Sequence, residues 1–281
     1  MDLAIMMFPT DKSIQPVELA KEVEARGFES LWFPEHSHIP TSRDTPWGGR
    51  EGAPPLPEMY WRSHDQFVAL AACAAVTDKL RLGTGITLVA QRDPVWLAKE
   101  VASLDMISNG RFELGVGYGW CVEEMRNHGL DYAKRRGILR EKILLCKELW
   151  TQEEAEFSGK HLQFEKSWAW PKPTQTPHPP IVMGGAAGPK TAAHIAEFCD
   201  GWMPLGGNYD LDGGLSNIAA ACDKIGRDPA SLSLSMFYAG GATPDDLKAH
   251  AERGAKRGIL PLPSEGPDKV LPLLDKYAEM L

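Results

Sequence analysis

What this sequence lacks narrows its function first. It has no uninterrupted apolar run longer than FVALAACAAV (67–76), about half of the roughly 20 residues that a membrane-spanning helix needs. The opening MDLAIMMFP carries an acid at Asp2 and too short an apolar stretch for a secretory signal. Cysteine is scarce: five residues, odd in number and without a C-x-x-C pair. That excludes a disulfide framework and points to small core residues of a reduced, cytoplasmic protein. Positive charge is also short, with 30 Lys and Arg against 38 Asp and Glu and a net charge of −8. No nucleic-acid or membrane partner is therefore expected, since clustered cations carry such binding. The one basic stretch, AKRRGILREK (133–142), has apolar residues at helical spacing and reads as a solvated helix face rather than a phosphate site.

What is present is alternation. Short apolar runs at 3–8, 30–34, 80–88, 112–117, 181–184, 201–205, 232–238 and 259–262 read as strands. Amphipathic segments follow at 16–26, 64–76, 95–107, 137–150, 189–198, 211–225, 244–253 and 267–280. Eight strand-then-helix units with right-handed returns describe an α/β fold of the (β/α)8 TIM-barrel type, one domain over 1–281. Prolines stand at helix starts (Pro16, Pro94, Pro189, Pro244, Pro267), with Thr10, Ser63, Asp93 and Thr243 available as caps. Two stretches break the repeat and read as insertions after strands two and four, at about 37–62 and 152–180. Both are expected at the C-terminal rim, where such barrels place their sites, bringing Trp47, Tyr60, Trp61, Trp168 and Trp170 with them. There these rings either anchor the loops or line a substrate.

The strand ends carry little catalytic chemistry. In WFPEHSHIP, Glu35 and His36 end strand two, and His36 with His38 resembles a two-histidine metal pair. A metal site needs further ligands, and the later ends VMGGAAG, WMPLGG, FYAGG and LPLP hold no His, Asp or Glu, so no metal is expected. No strand ends in the lysine of a Schiff-base aldolase, nor does a second carboxylate face Glu35 as glycoside hydrolysis needs. The ends are instead rich in glycine: LGTGITL, LGVGYGW and MGGAAGPKT. Glycine here permits either barrel packing or the close approach of a flat ligand, and three such ends around one mouth favour a planar cofactor with its own reactivity. In GGAAGPKT, Gly184, Gly185, Ala186 and Gly188 lead into a helix start with Lys190 in its first turn, an arrangement suited to a phosphate.

WFPEHSHIP, LGTGITLVAQRDPVWLAKEVASLDMISNGRFELGVGYGW, PKPTQTPHPPIVMGG and CDGWMP together resemble the bacterial luciferase-like superfamily, and within it the branch that uses coenzyme F420, a deazaflavin. The resemblance implies a ring lying across the barrel mouth against a strand-three bulge, with a cis peptide at Gly85-Ile86. It implies cofactor contacts at Glu35, His36, Gly85, Ile86, Thr87, Gly117, Tyr118, Gly119, Gly184, Gly185, Ala186, Gly188 and Lys190. It implies that Glu35 helps to hold the ring, and that His36 either exchanges the proton that accompanies hydride or only orients the ring. The family's sugar-phosphate dehydrogenases have a glutamate where this chain has Trp120, which argues against a sugar phosphate and for a flat or apolar substrate. Glu123 and Glu124 follow a turn later, at helical positions expected to point elsewhere.

The function expected is hydride transfer between coenzyme F420 and a small organic molecule. A monooxygenase using reduced FMN and oxygen is the alternative, and a noncatalytic flavin binder a second. A charged cofactor tail would leave near Lys190, Arg43 or Arg50. Members of the family are commonly dimers, so a homodimer is expected, for which the apolar face of HDQFVALAACAAV offers a contact unless the core takes it.

Overall fold

The chain is described by a computed structural model over residues 1–205 and 210–281, so Gly206 and Gly207 of WMPLGG lie outside the described residues. Its strands are β1 (Asp2–Met6), β2 (Ser30–Phe33), β3 (Arg81–Thr84), β4 (Phe112–Val116), the hairpin β5 (Ala155–Ser158) and β6 (Gln163–Ser167), then β7 (Ile181–Gly184), β8 (Gly201–Met203), β9 (Ser233–Phe237) and β10 (Arg257–Pro261). All but the hairpin close into a parallel barrel in the order β1-β10-β9-β8-β7-β4-β3-β2. Every strand expected from the apolar runs is present. The third is shorter than the 80–88 expected: it ends at Thr84, the Gly85-Ile86 peptide is cis, and pairing resumes as a single bridge from Thr87 to Val116.

The helices α1 (Pro16–Ala25), α2 (Met59–Arg62), α3 (Gln66–Ala74), α4 (Pro94–Ile107), α5 (Val122–Asn127), α6 (Arg135–Thr151), α7 (Pro189–Phe198), α8 (Leu211–Asp223), α9 (Pro244–Glu252) and α10 (Pro267–Ala278) surround the barrel. Their starts follow local chemistry: Asp93 accepts from Val95 and Trp96 N–H, and Thr243 forms a reciprocal capping box with Asp246. Thr10 and Ser63 do not cap; they bridge to each other, and Asp65 caps α3 instead. One short helix, α2, lies unexpectedly inside the first insertion, and the helical positions expected at Glu123 and Glu124 form a separate short helix, α5, directly after strand four. On α3, Phe67, Ala69, Leu70, Cys73 and Ala74 turn into the core, leaving Val68 as its large exposed apolar side chain. All five cysteines are free and buried, and among the described residues no helix is long and apolar enough to cross a membrane.

The second insertion departs from expectation. It leaves from the end of α6 rather than from a strand, and Gln175 bonds Asp105 and the carbonyl of Phe112, the first residue of β4. It therefore reaches the N-terminal end of the barrel, with Trp168 76% and Trp170 59% exposed and away from the rim. Trp61, in the first insertion, is 45% exposed as well.

The inside of the barrel is filled by Ala4, Met6, Trp32, Val182, Met203 and Ile259. Beneath this layer the N-terminal end is closed by charge. Arg257 Nη2 lies 2.6 Å from Glu29 and 2.7 Å from Glu113, Arg81 Nε lies 2.7 Å from Glu113, and the Arg257 guanidinium stacks 5.1 Å from the Trp32 ring. Burial opposes the charge on Glu113, but the two arginines hold its carboxyl below the ordinary range. With one end sealed in this way, a ligand enters at the other.

Replacing Glu113 with Ala leaves two guanidinium groups short of a partner inside the barrel floor and should cost about 3 kcal/mol or more of stability. Because folding depresses this carboxyl, its contribution is full above the unfolded value of about 4.3 and is lost as pH falls through the folded value. Guanidinium unfolding midpoints should thus fall more steeply from about pH 6 to about pH 3 in the wild type than in Glu113→Gln. Equal slopes would remove Glu113 from the acid response.

Candidate active site

At the open end, the turn after β2 delivers Glu35, His36 and Ser37, and α5 meets it from the far side of β3. His36 is 9% exposed and Glu124 fully buried. His36 Nδ1 lies 2.8 Å from Glu124 Oε2, while Glu124 Oε1 accepts the Ser37 N–H at 3.1 Å. Burial pushes the Glu124 carboxyl up, but the His36 imidazole and the Ser37 N–H outweigh it and hold the group below the ordinary carboxylate range. An ionised Glu124 is acceptor-only, so His36 Nδ1 carries the proton in this bond. Among the described residues Nε2 has no hydrogen-bond partner. The expectation that Glu123 and Glu124 point elsewhere is thereby corrected. The six-residue α5 starts with Cys121 as its N-cap, immediately after Trp120, so its first turn hangs over the β2 turn instead of pointing down the barrel wall.

Glu123 serves the same wall differently. Its Oε1 accepts the N–H groups of Asp44 and Thr45, at 3.0 and 3.2 Å, pinning the first insertion to α5. Burial pushes this carboxyl up, but the bonds from Thr45 and Asp44 together outweigh it and hold it down at about 2. The pinned insertion brings the Tyr60 ring 5.2 Å from His36, with its Trp47 5.8 Å from Tyr60, and they meet Trp120, 5.5 Å from His36, and Phe8, 4.7 Å from Tyr60, all between centroids. Of the five aromatics expected at the rim, Trp47 and Tyr60 join this cluster, and Trp120 from the segment after β4 and Phe8 from the segment after β1 complete it.

Glu35 turns into the protein. Its Oε1 accepts the Leu88 N–H at 2.6 Å and its Oε2 lies 2.6 Å from Arg92, which also pairs with Asp65 and Glu100. It thus ties the β2 end to the segment after the cis peptide. Thr87 is likewise occupied: it is fully buried and accepts from Gln66 Nε2 at 2.8 Å. A cavity of about 370 Å³ adjoins His36, walled by polar side chains that include Ser63, His64, Gln91 and Arg92.

The glycines divide into two groups. A Cβ on Gly117 or Gly184 would come within 2.6 Å of the Ile86 side chain, so these two serve barrel packing and let Ile86 cover the floor of the mouth. Gly185, at φ +105°, and Gly188 would meet nothing within 4 Å and open onto free space. Gly188 is the N-cap of α7 and supplies no side-chain cap, so the first N–H groups of that helix lack such a partner. Ala186 and Lys190 are exposed beside them. Arg136, read from sequence as part of a solvated face, arrives here: its Nη1 donates to Thr191 Oγ1 at 2.9 Å and its guanidinium stacks 4.2 Å from the Tyr118 ring. The signal that could have located it was its place in the first turn of α6, next to the following crossover.

A family model described as luciferase-like monooxygenase matches residues 14–276. An uncharacterized protein of Mycobacterium tuberculosis is 35% identical over 285 residues, spanning 100% of this chain and 99% of that protein. The F420-dependent hydroxymycolic acid dehydrogenase of the same organism is 27% identical over 228 residues, 80% of this chain and 57% of its own length. Among solved structures, monooxygenase RslO1 from Streptomyces bottropensis shares the fold at a TM-score of 0.78 and 21% identity, covering 100% of this chain and 98% of that one. A family match over nearly the whole barrel, together with an end-to-end relative at 35% identity, places the chain in the luciferase-like monooxygenase family.

Proposed function

We propose that this protein is a coenzyme F420-dependent oxidoreductase acting on a small alcohol or carbonyl compound with an apolar or aromatic part. The observation that carries the reading is the buried His36–Glu124 pair, whose free imidazole nitrogen stands among aromatic rings at the open end of the barrel. Similarity to an F420-dependent dehydrogenase supports the choice of cofactor.

The residues present fit such a group. The uncapped start of α7, with Gly185 and Gly188 open and Arg136 and Lys190 alongside, would hold its phosphate. Ile86, Gly85 and the end of β4 would support the ring, and Glu35 would keep that support in place through Leu88 and Arg92. The bound deazaflavin supplies the hydride acceptor or donor. His36 handles the proton: Nε2 takes it from the substrate hydroxyl as the carbon gives up hydride, or returns it to a carbonyl oxygen in the reverse direction. Glu124 stabilises the imidazolium so formed and keeps the ring in one tautomer and one orientation. Tyr60, Trp47 and Trp120 exclude water and offer faces to the organic part of the substrate.

The aromatic enclosure also favours a second reading, a monooxygenase using reduced FMN and oxygen, which needs a dry site. Titration of the purified protein with coenzyme F420 and with FMN, followed by fluorescence, separates the two. Micromolar binding of F420 and much weaker binding of FMN is expected; the opposite order would transfer the assignment to the monooxygenase.

Arg136→Ala should weaken cofactor binding roughly tenfold or more by removing a charged donor. His36→Ala and Glu124→Gln should each cut kcat on secondary alcohols by about a hundredfold or more while leaving cofactor affinity nearly unchanged. Full turnover in Glu124→Gln would take the pair out of the chemistry.

A further inference from the structure

On the outer side of the His36–Glu124 pair the same carboxylate meets two more imidazoles. One ligand atom each from His38, Glu124 and His128 lies within 4.8 Å of the others. Glu124 and His128 are four apart across the end of α5, so they share one helix side, and His38 comes from the β2 turn. The centre of the group is taken by a hydroxyl: Ser37 Oγ is 2.9 Å from His38 Nδ1, 2.7 Å from His128 Nε2 and 3.4 Å from Glu124 Oε1. A hydroxyl has one proton, so it can donate to one of these three atoms at a time. Two nitrogens and an ionised oxygen converging on one point make the donor set of a zinc-class ion, which favours imidazole and tolerates carboxylate.

We propose that His38, Glu124 and His128 form a binding site for one divalent transition-metal ion of the zinc class, and that filling it draws Glu124 away from His36. The ion takes the position near Ser37 Oγ, and Ser37, which is exposed, turns its side chain aside. Tetrahedral coordination at Zn–N and Zn–O distances of about 2.0–2.1 Å contracts the three atoms toward one another. His38 is half-buried and His128 exposed, so both rings are free to make that adjustment. Asn127 completes the site from outside: its Nδ2 lies 2.9 Å from His38 Nε2. With the ion on Nδ1 the proton of His38 moves to Nε2, and the Asn127 amide turns to accept it. The coupling follows from the two oxygens of Glu124. Oε2 bonds His36 and Oε1 faces the ion, so a cation on Oε1 competes for the charge that holds the His36 N–H. The sequence hid this site because its second and third ligands come from α5, beyond the strand end itself.

Metal binding stands independently of the proposed function; only the consequence for turnover rests on that reading, so the test uses no activity. Titration with zinc chloride against a chromophoric chelator should give one ion per chain at micromolar affinity. His128→Ala and His38→Ala should each weaken it about tenfold or more, with folding checked by circular dichroism. In nitrogen-15 spectra of the imidazoles, the His36 signals should move on zinc addition to the wild type and stay put in His128→Ala. Less than one ion per chain, or affinity unchanged in both variants, would overturn the site. Stoichiometric binding with the His36 signals unmoved would overturn its coupling to Glu124.

Discussion

The candidate site turns on one buried carboxylate. Glu124 is held below the ordinary carboxylate range, against the cost of burial, chiefly by His36 on one side and the Ser37 N–H on another. Each of these groups is in turn fixed by the carboxylate. Without its charge the His36 ring has no reason to hold one tautomer, and the turn after β2 loses its buried anchor on α5. The geometry of the mouth therefore follows from an electrostatic choice, a full charge placed where the barrel is nearly dry.

Around that charge the fold separates two tasks. The N-terminal end is plugged by Glu29, Arg81, Glu113 and Arg257 over the Trp32 ring, a network whose members satisfy one another and leave no room for a ligand. The C-terminal end is assembled from pieces of separate βα units and held by acids used as staples: Glu123 on Asp44 and Thr45, Glu35 on Leu88 and Arg92. Adjacent residues of one short helix thus divide the work, Glu123 fastening the insertion and Glu124 the imidazole. An aromatic wall around the imidazole is the result of the first staple, since Tyr60 and Trp47 ride on the segment that Glu123 pins.

The barrel was readable from the chain because its signals are local. Apolar runs of strand length, amphipathic segments of helix length and prolines at helix starts each depend on a few neighbouring residues. The helix 189–198 agrees residue for residue with α7, while the cis peptide at Gly85-Ile86 stands where the family resemblance, not a local signal, put it. The insertion at 152–180 was misjudged because sequence shows that an extra segment exists without showing at which end of a helix it leaves the barrel. The glycines were ambiguous for a similar reason. Gly117 and Gly184 look the same as Gly185 in the chain, yet Ile86 lies over the first two and nothing over the third.

The sequence by itself determined the count of βα units, the order in which they close and the appearance of Glu35 and His36 at the end of strand two. It did so because strand and helix periodicities, caps and turns are properties of short windows. Which group each of those side chains would face was decided by tertiary structure. The carboxylate on His36 lies 88 residues away, on a short helix whose direction is set by packing after strand four, and no local pattern encodes that meeting. Arg136 and the α7 start meet on the same terms, through the closure of the barrel rather than through any motif in either segment.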